Sequence, residues 1–170
     1  SGVIGKPDFF FFFYENQDPI WPYSVKIGTN GCMAVTDTQY YRVLIWHDWK
    51  TAFHQKADAI IGQADLESNG QNQYGPHPMP NTLSWCYDSC FWKEGILVAD
   101  TGNSRVLHFE AVPRQHNMAA GQVIGKPEII FTKCKIFCDE VSGGFCCGHR
   151  AVTRSRALAL GVTAYLLISL

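Results

Sequence analysis

Between residues 96 and 109 the apolar positions come in two short blocks with a polar block between them. Ile96-Leu97-Val98 and Val106-Leu107-His108-Phe109 are β-branched or bulky, and Asp100-Thr101-Gly102-Asn103-Ser104 divides them. Neither block has a helical period. Short extended runs around a Gly/Asn loop predict an antiparallel hairpin turning at Thr101 to Ser104. Gly102 and Asn103 are residue types that enter positive φ at least cost, so the pattern assigns them the left-handed positions of the turn.

The pattern recurs. "VTDTQYYRVL" at 35–44 aligns without gaps on "VADTGNSRVL" at 98–107, an offset of 63. Val35, Asp37, Thr38, Arg42, Val43 and Leu44 return as Val98, Asp100, Thr101, Arg105, Val106 and Leu107. "IIGQADL" at 60–66 and "VIGKPEI" at 123–129 keep the same offset, and "VIGKPDF" at 3–9 stands 57 residues before the middle copy. Two unrelated motifs sharing one spacing mark an array of repeats.

Within one unit, the polar and Pro-rich "ESNGQNQYGPHPMPN" (67–81) leads to an extended run around Leu83 to Trp92. A break at Lys93-Glu94-Gly95, the hairpin and a last strand in "GQVIGKPEI" follow. Gly125 and Pro127 suit an outer strand that need not donate every ladder hydrogen bond. Four short strands per unit, with no helical period across residues 1–133, predict an all-β fold. The expected architecture is a β-propeller fragment of about two to three four-stranded blades. Residues 134–170 have no second copy and are read as a divergent Cys-containing tail ending in an apolar segment.

"VADTGNSRV" resembles the signature of NHL repeats, and "IIGQADLESNGQNQYG" with "PNTLSWCYD" resembles their long-period bacterial variety. The resemblance covers residues 1 to about 130, most closely at 98–109. In the 35–46 copy Gln39, Tyr40 and Tyr41 replace Gly, Asn and Ser, so that turn is expected to be built differently. "SWCYDSCFWKEG" departs from the pattern and leaves the register of the preceding strand open. The resemblance implies a β-propeller serving mostly as a binding platform, with protein-binding and RNA-binding members and a minority of enzymes.

Asp100 closes one strand, and its carboxylate is placed to accept hydrogen bonds from the loop that follows, while Arg105 opens the next strand. Asp37 and Arg42 repeat this arrangement. Asp37, Arg42, Asp100, Gly102, Asn103 and Arg105 are therefore assigned to the repeat framework, not to a ligand or catalytic cluster. Candidate contact residues lie instead in loop 65–82, a segment too polar for apolar burial to explain its length. Prolines at 76, 78 and 80 stiffen its second half, and Tyr74 and His77 each offer a flat ring with a polar handle. Phe9 to Phe13, followed by Tyr14, is expected to be buried, because an exposed aromatic run promotes aggregation.

A hydrophobic content of 46% and an aromatic content of 14% suit a packed β core. With a net charge of −1 and basic residues scattered up to residue 150, the chain has no basic stripe, and nucleic acid is not the expected partner. Of the seven cysteines, Cys86/Cys90 and Cys134/Cys138 have C-x₃-C spacing. Cys134, Cys138, Cys146 and His149 form a conceivable zinc set whose spacing matches no familiar knuckle, so free or buried thiols are expected over zinc or disulfides. No two histidines share the 63-residue offset and no H-x-H or H-E-x-x-H pattern occurs, which leaves no metal, cofactor or catalytic residue to assign.

Ala157 to Leu170 carries no charge and follows Arg150, Arg154 and Arg156. As a helix it would span about 21 Å, short of a hydrocarbon core of roughly 30 Å, so membrane contact is conceivable only through this tail. Ser1 stands two residues before a repeat motif with no signal peptide ahead of it, and too few blades are present to close a ring. A portion of a longer chain is expected, and no compartment can be read. The expected function is a non-catalytic binding or scaffold module for another protein or ligand. The alternative is a propeller-type lyase or lactone hydrolase whose metal site depends on blades outside this segment.

Overall fold

The offset of 63 is a distance between two sheets. The computed structural model describes residues 17–125 together with 2–6, 10, 13 and 15. The candidate zinc set and the apolar segment 157–170 lie outside the described residues. β1 (Pro22–Ile27), β2 (Met33–Asp37), β3 (Arg42–Trp46) and β4 (Ala59–Ile61) form one antiparallel sheet in that order. β5 (Cys86–Trp92), β6 (Gly95–Asp100), β7 (Arg105–Phe109) and β8 (Gln122–Ile124) form the other. Among the described residues there is no α-helix, only short 3₁₀ turns, so the fold is all-β.

The hairpins close at equivalent pairs, Asp37 opposite Arg42 and Asp100 opposite Arg105. Between them lie 3₁₀ turns, Thr38–Tyr40 and Thr101–Asn103. The left-handed residue follows each turn, at Tyr41 (φ 50°) and Ser104 (φ 54°), and not at Gly102 or Asn103 as the residue types suggest. Gly102 is needed for close approach, because a Cβ there would sit 2.7 Å from the Ser84 carbonyl oxygen. Its N–H donates to that same oxygen at 2.8 Å. The two turns are built alike despite Gln39-Tyr40-Tyr41, with Tyr41 tolerating a conformation that costs about 1 kcal/mol or more outside glycine.

Side chains alternate across each strand, so each sheet has two faces. Ile96, Val98, Leu107, Phe109 and Val123 of the second sheet pack in one core with Ala34, Val43, Ile45, Ala59 and Ile61 of the first. Cys32, Leu83, Cys86 and Val112 complete that core. Their equivalents on the first sheet (Met33, Val35, Leu44, Trp46 and Ile60) lie on its opposite face and form a second core with Ala52 and Ala57, against which Ile4 and Leu66 pack. The sheets thus join by unlike faces, a head-to-tail contact. Each fully buried Leu, Ile or Val contributes about 1.5–3 kcal/mol to this arrangement.

The "IG" motif is the joint that leaves the outer strand. Gly5, Gly62 and Gly125 all hold positive φ, at 83°, 96° and 107°. At Gly62 a Cβ would lie 2.6 Å from the Tyr41 carbonyl oxygen. The next residue ties the joint down: the Gln63 side-chain amide donates to the carbonyls of Tyr40, Tyr41 and Gly70 at 3.1, 3.3 and 2.8 Å. Lys6, 57 positions earlier, donates to the carbonyl of Phe13, itself 57 positions before Gly70. Phe10 and Phe13 are 82% and 78% exposed, which overturns the expected burial of the aromatic run at those two positions. Phe9, Phe11, Phe12 and Tyr14 lie outside the described residues.

Candidate functional site

The framework residues are buried and paired. Arg42 Nε donates to Asp37 Oδ2 at 2.9 Å and Arg105 Nε to Asp100 Oδ2 at 2.6 Å, with all four side chains at most 2% exposed. Each guanidinium also ties in a connecting segment: Arg42 donates to the carbonyls of Asp18, ahead of its sheet, and Leu66, after it, and Arg105 to those of Met79 and Thr82, both ahead of its sheet. The aspartates accept from the chain entering the inner strand, Asp37 from the Ile20 and Trp21 amides and Asp100 from the Ser84 amide. Burial lifts the Asp100 carboxyl above the usual carboxylate range, against the pull of Arg105, Asn103 and Ser84. These contacts tie the hairpin to the segments around it.

Asn103 carries this network outward. Its side chain donates to Asp100 Oδ2 at 2.8 Å and to Asn72 Oδ1 at 2.9 Å, and Asn72 donates back to Asn103 at 3.2 Å. Asn72 belongs to loop 65–82, so the loop is bolted to the sheet at its centre. Gln73 adds a second anchor, donating to the Gly62 and Asn81 carbonyls and to Asn117 Oδ1 at 2.7 Å. The far end is held by Pro80, whose carbonyl accepts from the Ala120 amide at 3.0 Å, and by the Arg105 bond to Met79. Part of the loop's length is therefore spent on polar anchoring, which the sequence pattern does not reveal.

Between these anchors Tyr74, Gly75, Pro76 and His77 form a run of four exposed residues. Asn72, Gln73 and Tyr74 hold consecutive left-handed conformations, with φ of 49°, 54° and 61°. Each non-glycine residue in that region costs about 1–2 kcal/mol, so the anchors hold a strained turn in place. The Tyr74 ring crosses Gly70, its hydroxyl donates to Asn69 Oδ1 at 2.7 Å, and the residue remains 75% exposed. Tyr74 and His77 thus share one exposed tip, while the six framework residues lie beneath it or in the other sheet.

The structure also brings out aromatics that the offset of 63 hides. Trp21 and Tyr23 recur as Trp85 and Tyr87 at an offset of 64, because the path from Phe91 to its partner Ile96 is one residue shorter than that from Ile27 to Met33. Both tyrosines sit at equivalent register shifts, Pro22/Ser24 and Cys86/Asp88, and their rings meet edge to face at 5.0 Å. Trp85 meets Tyr41 in the same way at 5.4 Å. "W-x-Y" was the signal available in the sequence.

Cys32, Cys86 and Cys90 are free thiols, so Cys86 and Cys90 form no disulfide. Burial raises the pKa of all three, most strongly at Cys86. Among the described residues no three His, Cys, Asp or Glu side chains are placed to hold a metal. Neither a scan against protein-family models nor a search of curated proteins finds a match for this chain.

Proposed function

We propose that the two sheets are blades of a β-propeller-type repeat protein, and that the chain is a non-catalytic module docking a protein partner on the tip of loop 65–82. The blade reading is supported by four strands in sequential order, repeated in both sheets, and by their head-to-tail packing. The observation that carries the binding reading is the tip itself: Tyr74 to His77 are exposed on a strained backbone pinned on both sides. A pre-ordered tip loses little conformational entropy on docking, and tyrosine is among the residues that dominate protein interfaces.

The test leaves the anchors alone. Tyr74→Ala with His77→Ala removes both rings without touching Asn72 or Gln73, and unchanged circular dichroism confirms the fold. Partners captured by the wild-type chain should be lost or weakened at least tenfold by the double variant. A partner set unaltered in identity and affinity would remove the tip from the function.

A further inference from the structure

The sequence contains two Asn-Gly pairs, Asn30–Gly31 and Asn69–Gly70. An asparagine before glycine is especially prone to lose its side-chain amide, because the glycine N–H, shielded by no side chain of its own, can attack the asparagine Cγ. The fold treats the two pairs in opposite ways. The Gly31 N–H is engaged, donating to the Gly28 carbonyl at 3.0 Å, and Asn30 Oδ1 accepts from the Cys32 amide at 3.1 Å. Gly70 is buried, yet its N–H meets no acceptor among the described residues. Roughly nine in ten or more buried backbone N–H groups are paired, so this one calls for an explanation.

We propose that Asn69–Gly70 is a self-modification site, at which the Gly70 amide closes on the Asn69 side chain while the Tyr74 hydroxyl stabilises the charge that develops. Tyr74 supplies two of the conditions. Its ring lies across Gly70, where a Cβ would come within 2.5 Å of it, so residue 70 has room for no side chain. Its hydroxyl donates to Asn69 Oδ1 at 2.7 Å, the one hydrogen bond on that side chain among the described residues. When Gly70 N bonds to Asn69 Cγ, the Cγ–Oδ1 double bond opens and negative charge gathers on Oδ1, where the hydroxyl already points. The Cγ–Nδ2 bond then breaks, Nδ2 takes the proton lost by Gly70 N, and ammonia departs from a cyclic succinimide. Water reopens the ring at Cγ, giving aspartate, or at the main-chain carbonyl, giving isoaspartate.

The two reacting residues are held differently. Asn69 is half-buried, lies outside the strands and 3₁₀ turns, and has no main-chain hydrogen bond among the described residues. Gly70 is fixed through its carbonyl, which accepts from Gln63 Nε2 at 2.8 Å and from the Gln73 amide at 2.9 Å. The electrophile can therefore turn while the nucleophile stays in place. Either product puts a carboxylate beside Tyr74, at the foot of the exposed run 74–77, and isoaspartate also lengthens the main chain ahead of Gly70 by a methylene. The inference rests on the bonds of Asn69, Gly70 and Tyr74 and not on what the loop tip binds, so either can fail alone.

Peptide mass spectrometry of the full chain, incubated at mildly alkaline pH, follows both asparagines in one sample. In the native chain Asn69 should convert to aspartate and isoaspartate several-fold faster than Asn30, and in urea the two rates should converge. Tyr74→Phe keeps the ring over Gly70 and removes the donor. It should slow Asn69 about tenfold in the native chain, less than the loss of one oxyanion donor costs an enzyme, and leave Asn30 unchanged. Circular dichroism should match the wild type, since Tyr74 is exposed. Equal native rates at the two asparagines overturn the proposal, as does a difference that survives in urea, which would trace to sequence alone. An Asn69 rate that Tyr74→Phe leaves unaltered overturns it as well.

Discussion

Asp100 shows how much one side chain holds. Its carboxylate joins the Ser84 amide, Asn103 and Arg105 within the core. Asp100→Ala would leave the Arg105 guanidinium buried without its counter-charge, a loss of about 3–5 kcal/mol. Adding Arg105→Met should recover part of it, and denaturant midpoints of the single and double variants measure both effects. The raised pKa of Asp100 sets a direction with pH. The folded state then holds the proton more tightly than the unfolded chain, so this group's stability share is complete below the ordinary value of 3.8 and is lost as pH rises through the folded pKa. Across that window wild-type melting temperature should fall relative to Asp100→Asn, and a rising difference would contradict the shift. Burial also keeps Cys86 a protonated thiol whose hydrogen points at the Arg42 carbonyl. Peptide-level mass spectrometry should find it unalkylated at pH 8 in the native chain and alkylated once the chain unfolds.

At the scale of the element, the hairpins and the polar contacts between strands decide what holds. Ser24, Thr36 and Ser89 form a hydroxyl chain from β1 through β2 to β5, with both links at 3.2 Å. Thr36→Val alone strands the Ser89 hydroxyl in the core, so a double-mutant cycle with Ser89→Ala should show a combined cost smaller than the sum. Additive costs would mean that the hydroxyls do not interact. The hairpins were legible from the sequence because Asp37–Arg42 and Asp100–Arg105 keep a gapless offset and a turn needs its polar residues in order. The inner strands were not, since "PYSVKI" and "CYDSCFW" share only the tyrosine and are shifted by one residue. Burial does not carry over between them either, since Ser89 is buried where Val25 is exposed. The candidate site was legible at Tyr74 and His77 as exposed rings, whereas the anchors Asn72 and Gln73 work through partners in distant segments that no local pattern records.

For the whole molecule, one core is built by both sheets, and neither sheet keeps its inner face dry without the other. The described residues should therefore unfold in a single transition, with amides of β3 and β7 exchanging at matching rates; separate transitions would show that the shared core is weaker than its burial implies. The three glycine joints recur along the chain with one conformation. Gly5, Gly62 and Gly125 turn the chain with φ values of one sign and similar size, and in two of them the following long side chain latches the same carbonyl position. The stretch between the first and second joints is 57 residues and between the second and third 63, so the difference lies in the connecting segments and leaves the joint itself unchanged. Joint and decoration are therefore written in separate residues, so the connections between the latches can differ in length while the latch keeps its form.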